Sequence, residues 1–264
     1  MDVNAIKVGI IGSGQLGLSI AKQFITKGLP KNNLFISFRG NEETKQRIDN
    51  ANLHSCIASN NEIAENCTLI FITVKPSNIS NMLKMKVKED AILISCVAGH
   101  EIKTIEALFH HTVYKIMPTS PESIENETAI CGIYPSNTNV NKWLKWLGFE
   151  LFTLNEESEF HYFTAMACMP AALLQIKIQH IKLNEAALFE EAKQAHFEQF
   201  ELLYNRLKTE TPTQLNEAES LQFIRKMATK GGITESVVNS IKQGETLIQA
   251  IDKGIKRSQE IANN

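Results

Sequence analysis

Along the first 155 positions the apolar residues fall into short continuous runs rich in β-branched side chains, separated by amphipathic stretches. The runs at 6–11, 34–38, 68–74, 91–97 and 112–116 are of strand length. Most do not alternate, which predicts strands buried on both faces of a sheet. Helical patterns at 15–28, 41–50 and 60–66 lie between them, and a short strand is predicted near 54–57. Strands alternating with such helices imply βαβ units and a parallel sheet. A strand at 129–134, a helix at 138–147 and a strand at 149–154, placed at the sheet edge, complete this half.

The pattern changes near Asn155. Beyond it strand signal almost vanishes, and Asn155-Glu156-Glu157-Ser158-Glu159 reads as an acidic helix start. Helical patterns run over 157–181 and 184–208; Pro212 breaks the second, and helices recur at 214–228, 234–243 and 245–262. The predicted fold class is α/β, with an N-terminal Rossmann-type doubly wound sheet over 1–155 and an all-α domain over 156–264. Neither an internal repeat nor a low-complexity tract stands out.

The chemistry begins where the first strand ends. Val8-Gly9-Ile10-Ile11 runs into Gly12-Ser13-Gly14-Gln15-Leu16-Gly17 and then into a helix. In that strand–turn–helix setting G-x-G-x-x-G marks a dinucleotide site. The first glycine permits the tight turn, the second admits the pyrophosphate to the backbone, and the third allows close packing of helix on strand. Unpaired N–H groups at the helix start face the phosphates.

Composition narrows the partners. In 264 residues, 43% are hydrophobic and the net charge is −2, so nothing global attracts nucleic acid or an anionic membrane. No apolar run approaches a membrane span. The first strand starts almost at the N-terminus, which leaves no room for a signal peptide, and a cytoplasmic location is expected. Five cysteines are scattered without C-x-x-C, and seven histidines form no ligand pair. Buried thiols and no metal site are the reading.

Further candidates line the strand ends. Arg39 follows Gly17 by 22 residues, where an acidic residue would grip the ribose of NAD. Here the tip is Ser37-Phe38-Arg39-Gly40, and a hydroxyl beside a guanidinium suits a 2′-phosphate, favouring NADP(H) over NAD(H). The alternative is a solvated loop arginine. Val74-Lys75-Pro76 and Ala98-Gly99 close two strands at the edge that lines the ligand crevice of such sheets. A lysine there faces cofactor or solvent, and Pro76 pre-sets a helix start. Met117-Pro118-Thr119-Ser120-Pro121 either walls a pocket or simply connects. In the second half Gly231-Gly232 precedes Thr234, placed as N-cap of a helix at 235–243. Such a start is a carboxylate site or an ordinary capped helix.

Taken together these motifs resemble the pyrroline-5-carboxylate reductase family. Gly12 to Gly17 stand for its glycine turn, and Thr73-Val74-Lys75-Pro76 for its A-V-K-P. Ser95-Cys96-Val97-Ala98-Gly99 is similar to its S-x-x-A-G, and Lys115-Ile116-Met117-Pro118-Thr119-Ser120-Pro121 to its R-x-M-P-N-T-P. Thr229-Lys230-Gly231-Gly232-Ile233-Thr234 resembles its S-P-G-G-x-T, and Arg257-Ser258-Gln259-Glu260 lies in its final helix. The resemblance implies NADPH-dependent reduction of 1-pyrroline-5-carboxylate to L-proline, without a metal. It implies that Asn60 touches cofactor. Thr229, Gly231, Gly232, Ile233 and Thr234 would hold the substrate carboxylate, with Thr234 near the imine and Glu217 nearby. It also implies a homodimer through the C-terminal helices, and larger homo-oligomers built from it.

The chain departs from the family at one place above all. S-G-S-G-P-A-Y is replaced by Met166-Ala167-Cys168-Met169-Pro170-Ala171-Ala172, where only Pro170 and Ala171 persist. Thr119 and Lys115 replace an asparagine and an arginine. A related reductase of another cyclic imine or small carbonyl acid, and a non-catalytic NADP-binding protein, are the other readings, since fold does not determine function.

Overall fold

Seven strands form one sheet: β1 (Val8–Ile11), β2 (Leu34–Ser37), β3 (Leu69–Ile72), β4 (Ile92–Ser95), β5 (Val113–Pro118), β6 (Ile130–Tyr134) and β7 (Glu150–Thr153). Their order is β2-β1-β3-β4-β5-β6-β7. This is a computed structural model, and it describes residues 2–76, 78, 79 and 85–262. The chain divides into two units, Met1–Glu157 and Ser158–Asn264.

β1 to β5 are parallel neighbours, with β1 between β2 and β3. The chain thus moves outward from β1 to β2 and returns to β1's other side, placing the switch point, and hence the ligand crevice, at the carboxyl end of β1. All four residues of β1 and of β3 are buried, as central strands covered on both faces must be. The sheet is not wholly parallel, as the alternating pattern implied. β6 runs antiparallel to β5, and β7 parallel to β6 at the sheet edge. Only the short α5 (Pro121–Glu125) lies in the connection from β5 to β6, too little chain for a crossover between parallel strands. The strand expected near 54–57 is a 3-10 turn at His54–Cys56 followed by one bridge from Ile57 to Ile36. Of the helix expected to begin at Pro76, residues 76, 78 and 79 have 3-10 geometry, and 77 and 80–84 lie outside the described residues.

α1 (Gln15–Thr26) carries the glycine turn's helix and is fixed from several sides. Phe24 is fully buried, with ring centroids 5.8 Å from Phe71 and 5.9 Å from Trp146. Ser19 Oγ donates to Glu125 Oε1 at 2.6 Å, and Gln23 Nε2 to the Leu147 carbonyl at 3.0 Å. Phe24→Ala is expected to cost about 3–5 kcal/mol in a denaturant titration, the range for a deleted core ring.

The second unit is helical: α7 (Glu159–Met166), α8 (Met169–Ile178), α9 (Glu185–Gln194), α10 (Phe200–Thr209), α11 (Glu217–Met227), α12 (Ile233–Lys242) and α13 (Leu247–Ala262). Each of the two long helices predicted at its start is broken. Pro170 interrupts the first, because its ring would strike the carbonyl of Met166, where α7 ends. The second stops when His196 turns left-handed at φ 58° and the Phe197 N–H reaches back to the Ala192 carbonyl, a Schellman-type close. Gly254 lets α13 approach α12 and α7: a Cβ there would lie 2.7 Å from Val237 and 3.1 Å from Ala165. Among the described residues no helix is long and apolar enough to cross a membrane.

Candidate functional site

The three glycines of the first turn have three different surroundings. Gly12 adopts φ +101°, and a Cβ on it would meet the Val74 backbone nitrogen at 2.9 Å. Gly17 has no room: a Cβ would lie 2.3 Å from the Gly12 carbonyl and 2.6 Å from Thr73 Oγ1. Gly14 has nothing within 4 Å of that position and an extended backbone, φ −69° and ψ −167°. Two glycines therefore serve the fold, and the middle one leaves an open face. No side chain caps α1, which starts there, whereas Asn41, Ser59 and Asn137 cap α2 (Glu42–Asn50), α3 (Asn60–Asn66) and α6 (Thr138–Trp146). The N–H groups of Gln15, Leu16 and Gly17 have no acceptor within the helix. An open face at a positive helix end fits the pyrophosphate of a dinucleotide.

Ser37 takes a place that sequence spacing did not reveal. It is buried beneath the turn, its hydroxyl accepting from Gly12 N at 3.3 Å. Its carbonyl accepts from Ser13 N at 2.9 Å and Ser13 Oγ at 2.8 Å. Thr73 Oγ1 completes the brace by donating to the Gly12 carbonyl at 2.6 Å. Arg39 is exposed beyond β2, with Nη1 3.1 Å from Asn78 Oδ1. The structure thus brings Gly12, Ser13, Ser37 and Thr73 into one hydrogen-bonded cluster, with Gly17 and Val74 close against Gly12, and leaves Arg39 as the charged group at the tip.

The other strand ends lie at the same sheet edge. Lys75 is exposed after β3, flanked by half-buried Val74 and Pro76. Ala98 and Gly99, the latter at φ 76°, follow β4. Asn60 is the half-buried first residue of α3. Pro118 ends β5, and Ser120 caps α5, so the double-proline segment is a strand end and a helix start.

In the second unit Thr229 to Gly232 form a tight turn, with Gly232 N donating to the Thr229 carbonyl at 2.8 Å and Gly231 at φ +71°. Glu235 Oε2 accepts from Gly231 N at 2.7 Å, and Arg257 Nε donates to the Gly231 carbonyl at 2.8 Å. The N-cap is Gly232, not Thr234 as the residue types suggested. α12 begins at Ile233, because the turn delivers the chain into helical geometry two residues early. Here too no side chain caps the helix, and its first N–H groups have no acceptor within it. Thr234 Oγ1, freed from capping, lies 3.3 Å from Cys168 Sγ, and that thiol is 3.5 Å from the Thr164 carbonyl. Burial pushes the Cys168 thiol up to about 11, against the pull of the Thr234 hydrogen bond, so it stays protonated. Its one hydrogen goes to Thr164, which makes the sulfur the acceptor for Thr234 and leaves the Thr234 oxygen lone pairs to accept from a ligand. Met166 and Met169 on either side are fully buried, so their bulk is absorbed by packing. Glu217 is the exposed first residue of α11, behind the cap of Asn216. Glu235, Arg257 and Cys168 were not legible as site residues; each acts through a fold contact between segments distant in sequence or across one turn.

Residues 7–99 match the family model described as NADP oxidoreductase coenzyme F420-dependent. The chain is 34% identical over 126 residues to pyrroline-5-carboxylate reductase 3 of Danio rerio, covering 46% of this chain and 43% of that protein. It is 31% identical over 135 residues to pyrroline-5-carboxylate reductase 2 of Dictyostelium discoideum, covering 48% and 45%. The matched stretches thus span less than half of these curated relatives. A pyrroline-5-carboxylate reductase structure from Coxiella burnetii is similar in fold at TM-score 0.59 and 17% identity, covering 98% of this chain and 99% of that one. The Plasmodium falciparum pyrroline carboxylate reductase with NADP bound gives TM-score 0.59, 18% identity and coverage of 98% and 99%. Residues 7–99 are thus similar to the NADP oxidoreductase family model, less than half of the chain is similar in sequence to pyrroline-5-carboxylate reductases, and the fold is similar to theirs.

Proposed function

We propose that the protein reduces 1-pyrroline-5-carboxylate to L-proline with NADPH. The observation that carries this reading is the pair of helices, one in each unit, that open on glycine without a side-chain cap. The first would hold the pyrophosphate and the second the substrate carboxylate. A nicotinamide cofactor, when bound, supplies a hydride. Gly12 to Gly17 would hold its phosphates, with Asn60, Val74, Lys75, Pro76 and Ala98 as further contacts. Arg39 favours a 2′-phosphate and therefore NADP(H) over NAD(H). A cyclic iminium is already electrophilic, so the protein's work is placement. The Thr234 oxygen, with its own proton directed to Cys168, is disposed to accept from the iminium N–H and hold that proton on nitrogen while the carbon is reduced. Thr229, Gly231, Gly232 and Ile233 would frame the carboxylate, and Glu217 would stand nearby.

Thr234→Ala is expected to lower kcat about tenfold to a hundredfold with KM less affected, and Thr234→Ser to retain most activity. Unchanged kinetics in Thr234→Ala would reduce the residue to a packing role. The changed 166–169 segment favours a second reading, reduction of a cyclic imine with its carboxylate placed differently. NADPH deuterated at the transferred position separates the two. Label at the ring carbon next to nitrogen and remote from the carboxylate supports pyrroline-5-carboxylate as substrate. Turnover only with pyrroline-2-carboxylate, labelling the carbon that bears the carboxylate, supports the other. We further propose a homodimer through the C-terminal helices and a cytosolic setting, in keeping with five buried free cysteines.

A further inference from the structure

Lys115 is a charged residue inside β5, only 5% exposed, level with Ser95 at the end of β4. Its Nζ is 2.9 Å from Glu157 Oε1 and donates to the His100 carbonyl at 2.8 Å. Glu157, the last residue of the first unit, accepts with both oxygens from Ile102 N at 2.9 and 3.1 Å, serving as an external cap for α4 (Ile102–Phe109). His100 in turn lies with Nε2 3.1 Å from the Pro76 carbonyl. A carbonyl only accepts, so that nitrogen carries the proton. The chain of contacts therefore runs from Glu157 through Lys115 and His100 to Pro76. It joins the two turns, at 74–76 and at 98–100, that follow β3 and β4.

A buried ion pair is a poor way to gain stability, since apolar residues of similar volume often serve as well. What this pair has that an apolar pair lacks is direction: beyond their mutual contact, Lys115 ends on the His100 carbonyl and Glu157 on the Ile102 N–H. We propose that Lys115 and Glu157 are positioning residues that hold the turns at 74–76 and 98–100 in place for the nicotinamide half of the cofactor. The inference rests on the cofactor reading above, and concerns residues that would not themselves touch the phosphates, which the glycine turn holds from β1.

The test compares two ligands by fluorescence titration of the whole protein: NADPH, and adenosine 2′,5′-bisphosphate, which lacks the nicotinamide. In the double variant Lys115→Met, Glu157→Gln no unpaired charge is left buried and Ile102 N keeps an acceptor. Its NADPH Kd is expected to rise about tenfold, and its bisphosphate Kd to stay within about twofold of the parent. Glu157→Gln alone is expected to show the same asymmetry in smaller measure, and Lys115→Arg, which keeps the charge and the donors, to retain NADPH binding. Equal loss of both ligands, or loss of neither, in these variants would overturn the proposal while the cofactor reading stands. A parent protein that binds neither ligand would overturn both.

Discussion

Gly14→Ala is expected to fold like the parent and to lose NADPH. The backbone at Gly14 is one that alanine adopts without strain, and the added methyl would meet nothing within 4 Å. Its cost to the fold is that of alanine for glycine at an N-cap, about 1 kcal/mol or less. The same methyl would stand where a pyrophosphate must approach the helix start, so NADPH affinity is expected to fall by about two orders of magnitude. Gly17→Ala inverts the outcome. Its methyl would press on the Gly12 carbonyl at 2.3 Å, and overpacking of that kind costs about 1–3 kcal/mol. Thermal melts with and without NADPH separate the two variants. A normal NADPH shift in Gly14→Ala would remove the phosphate from this turn.

Arg39→Ala is expected to weaken NADPH binding far more than NADH binding. Arg39 is exposed at the end of β2, hydrogen-bonded to the neutral Asn78 side chain. Loss of charge-assisted bonds to a 2′-phosphate amounts to about 1.5–3 kcal/mol, or roughly tenfold to a hundredfold in NADPH affinity. NADH, which lacks that phosphate, is expected to bind within about twofold of the parent value. Equal losses for both cofactors would assign Arg39 to the turn and not to the phosphate.

The sheet half was legible because its strands are central: β1 and β3 are buried at every position, and buried strands write themselves as continuous apolar runs. The antiparallel turn into β6 was not, because strand direction depends on connection length and not on the strand's own residues. Breaks inside the two long helical patterns were hidden for different reasons. Pro170 was visible, yet proline is also welcome at a helix start, so its presence alone did not divide α7 from α8. His196 carries no sign of its left-handed turn. At the site, the glycine turn was legible because each glycine has a stereochemical cause. Thr234 was read as a cap from its residue type, and only the fold shows that Gly232 occupies that place and that the Thr234 hydroxyl lies against a thiol. The brace through Lys115 and Glu157 joins positions 42 residues apart, a pairing that no local pattern encodes.

The most direct measurement mixes the purified protein with NADPH and 1-pyrroline-5-carboxylate and follows nicotinamide absorbance together with proline formed. The account predicts oxidation of one NADPH for each proline, reduced about a hundredfold in Gly14→Ala at limiting NADPH and much reduced in Thr234→Ala. NADPH that binds but is not consumed with this imine would contradict it.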